Sequence, residues 1–239
     1  MVLPLKRDGK AMKSLVLACQ TIAPELERVV EELSFDSPIL YMDGSLHDRP
    51  DALRNALQER LDHIANVDLV ILAMGCCGGA TAGLRSHGFS LVLPRVDDCL
   101  TLFLGSQDKR SAISGKAPTY LFTKGWLDSE HSILAEHARN TEKFGAKRAD
   151  HILHVMYQHY EHIALIDTGI FAVGPQLSKL EEISELLSVK HVEVIEGTMG
   201  FIHRLLTGPY DERFVVKGPY EQVESTDFSA LTQPFLTTT

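Results

Sequence analysis

Four cysteines carry most of the chemical potential of this 239-residue sequence: Cys19, the adjacent pair Cys76 and Cys77, and Cys99. Each follows an apolar run. "LVLA" ends before Cys19, "VILAMG" ends before the pair, and "LVLP" is separated from Cys99 only by "RVDD". If these runs are strands of one parallel sheet, their carboxyl ends lie along a common edge, where ligands of open α/β sheets bind. Thiolates of Cys19, Cys77 and Cys99 would then form a three-sulfur site. Zinc takes four ligands, with sulfur at about 2.3 Å, and keeps one position open when catalytic. A [4Fe-4S] cluster held by three thiolates, with one open iron, is the alternative. The plain alternative for any one cysteine is a small buried hydrophobe. Adjacent extended residues point to opposite sides, so one member of the pair serves the site. Cys77, next to Gly78 and Gly79, is the expected ligand, because glycines let the backbone turn and approach a bound group. Which of the pair it is stays open at this point.

Polar residues at the same strand exits extend the candidate site. Asp98 has the position of an N-cap for the helix opening "CLTLFL", which would place Cys99 in a first turn that favours a thiolate. Asp97 is read either as a fourth ligand or proton-transfer group or as a solvated carboxylate. Arg95 would neutralise thiolate charge or grip a substrate carboxylate. In the second half, "TKGWL" holds Lys124 beside Trp126, the only tryptophan. "IDTG" places Asp167 and Thr168 before a glycine, and "EGTMG" puts Thr198 where backbone N–H groups open a helix. Asp97, Asp98 and Asp167 are the candidate acid–base groups. Arg95, Gly78, Gly79, Lys124, Trp126, Thr168 and Thr198 are the candidate substrate contacts.

The elements that must position these residues are eight apolar runs, at 15–18, 38–42, 68–74, 90–94, 119–123, 163–167, 191–196 and 214–217. Most are continuous rather than alternating, as in parallel strands covered on both faces. Helical spacing separates them: Leu26, Val29, Val30 and Leu33; Leu53, Leu57, Leu61 and Ile64; and Leu177, Leu180, Ile183 and Leu187. The expectation is an α/β fold, a parallel sheet in three layers. Two similar α/β lobes facing a cleft are preferred over one doubly wound sheet: a cysteine-bearing lobe over 13–108, a second over 117–217, and a tail over 218–239. "ADHILHVMYQHYEH" reads as one helix bearing His151, His154, His159 and His162, a surface or interface helix rather than a metal site.

Composition narrows the classes. Net charge is −9 with no basic block, which argues against nucleic acid. No apolar stretch reaches the length of a membrane span, and "MVLPLKRDGKAMKS" has its charges after its apolar residues, unlike a secretory signal. A cytoplasmic protein with reduced thiols is expected.

Cys19 with the following "PEL", "GCCGG", "LPRVDDCLTLFLGS" and "YLFTKGWL" together resemble the signature blocks of domain-of-unknown-function family 1638, over residues from about 14 to about 210. The resemblance implies a cysteine after the first strand, a second before a glycine, and a His-Asp-Cys triplet. These fall on Cys19, Cys77 and Asp97-Asp98-Cys99, with Asp97 where the family has histidine. It also implies the setting of corrinoid-dependent methyl transfer. The combined expectation is a metal-dependent enzyme of methyl, one-carbon or small thiol or amine metabolism, a transferase or lyase. A corrinoid protein and a second copy of the chain are its expected partners. The alternatives are an accessory protein that binds metal or docks a corrinoid protein, and an enzyme with a cysteine nucleophile.

Overall fold

The computed structural model describes residues 6–7, 10–46 and 49–231. A short antiparallel pair, β1 (Lys6–Arg7) and β2 (Lys10–Ala11), precedes the first long strand, β3 (Ser14–Cys19). The chain continues through α1 (Ala23–Leu33), β4 (Ile39–Met42), α2 (Pro50–His63), β5 (Leu69–Ala73), β6 (Ser90–Pro94), α3 (Cys99–Leu104) and α4 (Gln107–Ser114). It then runs through β7 (Thr119–Phe122), α5 (Lys124–Leu127), α6 (Ile133–Phe144), α7 (Ala146–Tyr157), β8 (His162–Asp167), α8 (Val173–Leu187), β9 (His191–Glu196), α9 (Gly200–Thr207) and β10 (Phe214–Lys217).

The long strands form two sheets. The larger has the order β10-β6-β5-β3-β4, parallel except for β10, and the smaller is the parallel set β7-β8-β9. Every residue of β5 and β6 is buried, which is why both read as unbroken apolar runs. The protein is therefore mixed α/β, with mostly parallel sheets flanked by helices. In α1, with proline in its first turn, Leu26 and Val29 are buried; Leu53, Leu57 and Leu61 are buried in α2.

Neighbouring β3 and β5 pair Ala18 with Ala73, so Cys19 and the residues after Ala73 leave the sheet at one level. One face of the smaller sheet joins the main core through Leu121, Ala164 and Ile166. Its other face, with Phe122, Ile163 and Leu165, packs against Leu153 of α7 and against Leu180 and Ile183 of α8.

Two segments differ from expectation. "FVVK", grouped with the second half, is β10 and runs antiparallel to β6 at the edge of the first sheet. The four-histidine helix ends at Tyr157: His159 follows it, and His162 opens β8 with its ring 4.5 Å from that of His191. A strand start wins there, because Ile163, Ala164 and Leu165 are needed in both cores. The tail packs back on the chain, burying Val223 and Phe228, while residues 232–239 lie outside the described ones. No described helix is long and apolar enough to cross a membrane.

The two sheets are tied through α1 and α5. A Cβ on Gly125 of α5 would lie 2.1 Å from the carbonyl oxygen of Thr21, so only glycine permits that approach. Glu25, in the first turn of α1, is fully buried. Its Oε1 accepts from Thr168 Oγ1 at 3.3 Å, and its Oε2 has no hydrogen-bond partner among the described residues. Burial pushes its carboxyl up to about 7, against the opposing pulls of its own backbone N–H, Thr168 and Lys124. A carboxyl whose pKa rises on folding stabilises the fold in acid, and that contribution is lost as pH climbs through about 7. Between about pH 5 and about pH 8 this group should cost the wild type up to roughly 3 kcal/mol, and Glu25→Gln should flatten that decline. Urea unfolding across the range measures it; parallel curves for the two proteins would refute the assignment.

Candidate active site

The site is built where the exits of β3, β5 and β6 meet. Past β5, Gly75 lies so close to the next loop that a Cβ on it would stand 2.8 Å from three backbone atoms of Asp98. Two hydrogen bonds fasten the loops together: Cys76 N–H donates to Val96 O at 2.8 Å, and Cys77 N–H donates to Asp97 O at 2.7 Å. The chain then turns through three left-handed residues, Cys77 (φ 48°), Gly78 (φ 66°) and Gly79 (φ 90°). A non-glycine residue in that region is strained and persists only where its surroundings hold it. Arg54 of α2 holds the far side by donating to Gly79 O at 2.8 Å.

This geometry brings Cys77, Cys99 and Cys19 together. The Cys77 and Cys99 sulfurs are 3.8 Å apart, Cys19 hydrogen-bonds Cys99, and the Cys19 sulfur lies 3.0 Å from Thr21 Oγ1. The Cys19 bond pulls the buried Cys99 thiol down, but the adjoining Cys77 and burial outweigh it and hold Cys99 well above its ordinary range. A thiolate at Cys99 would therefore need positive charge beside it. Cys76, half-buried, does not line the cavity in front of these thiols, and burial pushes its thiol up.

In front of the thiols opens a cavity of about 270 Å³, reached by Cys77, Gly78, Asp98 and Cys99. Asp98 caps α3, accepting from Thr101 N–H at 2.9 Å, while its other oxygen is 3.4 Å from Arg110. Arg110, Thr21, Tyr120, Tyr160 and Trp126 complete much of the wall.

Of the candidate substrate contacts, Gly78 and Trp126 line the cavity, and of the candidate acid–base groups only Asp98 does. The others are engaged elsewhere. Asp97 is exposed and takes a short hydrogen bond from Gln107. Arg95 reaches Phe214 O, Lys124 pairs with Asp128, and Asp167 accepts from Gly169 N–H. Thr168 serves Glu25, Thr198 accepts from Gly200 N–H, and Gly79 carries the turn. Among the cavity residues that the sequence did not single out are Thr21, Arg110, Tyr120 and Tyr160. Thr21, two places past Cys19, had a local signal; the others are distant in sequence.

Among the described residues, no group of three or more His, Cys, Asp or Glu side chains stands ready to hold a metal ion. The donor set nevertheless fits one in part. Two sulfurs bound tetrahedrally at about 2.3 Å stand about 3.8 Å apart, the separation of Cys77 and Cys99.

The sequence model of a family described as "Protein of unknown function (DUF1638)" matches residues 41–206, which include Cys77 and Cys99 and leave Cys19 outside. No curated protein and no solved structure matches.

The contact at Gly75 is directly testable. Gly75→Ala must push the two exit loops apart and should cost about 1–3 kcal/mol, a typical overpacking penalty. A short bifunctional thiol reagent should also bridge Cys77 and Cys99 more slowly in the variant. An unchanged denaturation midpoint with unchanged bridging would mean that the loops do not touch in this way.

Proposed function

The chain belongs to the DUF1638 family of proteins of unknown function, and we propose that Cys19, Cys77 and Cys99 hold a metal centre of an enzyme acting on a small molecule in the adjoining cavity. The observation that carries this reading is the convergence of three thiols from three separate strand exits, two of which, Cys77 and Cys99, line that cavity while Cys19 backs Cys99. Zinc is the preferred occupant and a [4Fe-4S] cluster the alternative. Bound zinc would keep the thiols ionised and leave one position for Lewis-acid contact with the substrate.

The chain's own residues account for the rest. Asp98 fixes Cys99 by capping its helix and draws Arg110 to the cavity wall. Thr21 steers the Cys19 sulfur. Tyr120, Trp126 and Tyr160 give part of the cavity an apolar lining. Asp97 is given no ligand role, since Gln107 occupies it. Methyl or one-carbon transfer involving a small thiol or amine is the reaction class that suits thiolates beside a Lewis acid.

The test is elemental analysis of protein purified without oxygen, compared with a Cys19→Ser, Cys77→Ser, Cys99→Ser variant. About one zinc, or about four irons, per chain should be present in the wild type and lost in the variant. Folded wild-type protein that carries neither metal, and takes up neither on reconstitution, would overturn the reading.

A further inference from the structure

Three aromatic side chains line the cavity. Tyr120 stands on β7, Trp126 on α5, and Tyr160 in the turn between α7 and β8. The rings of Tyr120 and Tyr160 meet edge to face, with centroids 5.0 Å apart and planes at 90°. Tyr120 is also packed against Phe122 and Tyr157, with centroids at 4.8 and 5.5 Å. Aromatic rings attract cations over their faces, and recognition of quaternary ammonium groups is the characteristic use of this attraction.

Charge around the cavity points in the same direction. Arg110 is the only cationic side chain on its described wall, and it is already matched by Asp98 at 3.4 Å and directed toward Ser114 Oγ at 3.2 Å. An incoming carboxylate or phosphate would have to compete with Asp98 for it. A cation meets aromatic side chains, sulfur atoms and a compensated ion pair. The net charge of −9 adds a favourable long-range field. At about 270 Å³ the space lies just below the range of drug-sized pockets, which selects a compact ligand.

We infer that the cavity binds a small methylated ammonium compound, quaternary or tertiary, with its methyl groups against Tyr120, Trp126 and Tyr160 and its far side toward Cys77 and Cys99. This rests on the reading above that the cavity is the substrate site, and it names the class of substrate.

Trp126 is the only tryptophan, so its fluorescence reports on this wall alone. Full-length protein is titrated with choline and, separately, with 3,3-dimethyl-1-butanol, which has the same shape without the charge. Calorimetry is run in parallel. Choline should bind saturably and change the Trp126 emission, and the neutral isostere should bind at least about five-fold more weakly. Tyr160→Phe should keep choline affinity, and Tyr160→Leu should lose at least about five-fold. Equal affinity for the two isosteres, absence of saturation by choline, or tighter binding of pivalate than of choline would overturn the inference. Metal content is measured on the same samples, and the titrations are repeated on the triple serine variant. Choline binding by protein that neither holds nor takes up metal would sink the metal reading and keep this one. Metal-loaded protein indifferent to choline would do the reverse.

Discussion

The site depends on one close approach, that of the β5 exit to the β6 exit. Only a residue without a Cβ fits at Gly75, where the Asp98 backbone stands in the way of any side chain. The two backbone hydrogen bonds that follow, from Cys76 and Cys77 to Val96 and Asp97, fix the turn against the loop. Each is worth on the order of 1 kcal/mol net, enough together to offset a strained left-handed Cys77. With the turn held there, the Cys77 sulfur comes to 3.8 Å from Cys99. Cys99 is itself placed by the Asp98 cap, so one short loop positions both a thiol and the helix that carries it.

The second sheet supplies the opposite wall, and its attachment is as tightly specified. Gly125 presses against the Thr21 carbonyl, immediately past the exit that bears Cys19. Trp126, the next residue, thereby lines the same cavity as Thr21. Leu121, Ala164 and Ile166 fasten the sheet to the main core from one side. The buried Glu25 carboxyl sits at this junction, accepting from Thr168 just past β8.

The strands were legible because burial on both faces leaves continuous apolar runs, and β5 and β6 are wholly buried. The three cysteines were legible because each follows such a run, and parallel strands end at one edge. Other features left no local trace. Nothing in "FVVK" distinguishes an antiparallel edge strand from a parallel one; only its pairing with β6 does. The histidine-rich stretch kept helical spacing past Tyr157, but Ile163, Ala164 and Leu165 are required in the sheet. Asp98 was read as a cap and as a catalytic candidate, and it caps α3 while lining the cavity. Arg110, Tyr120 and Tyr160 reach the cavity through tertiary packing, which sequence spacing does not encode.

The disposition of the thiols bears on whether they act by ligation or by nucleophilic attack. A nucleophilic cysteine needs an ionised, reachable sulfur beside a base or a cationic group. Cys99 is only 2% exposed and is held protonated well above the ordinary thiol range, hydrogen-bonded between two other sulfurs. Arg110, the cation on the cavity wall, is turned to Asp98 instead. No cysteine lies beyond residue 99, so the second sheet brings no opposing thiol. A central sulfur flanked by two others is poorly suited to attack and well suited to share a positive charge. The proposed ligation would account for all three positions, whereas a nucleophilic role would account for Cys77 alone.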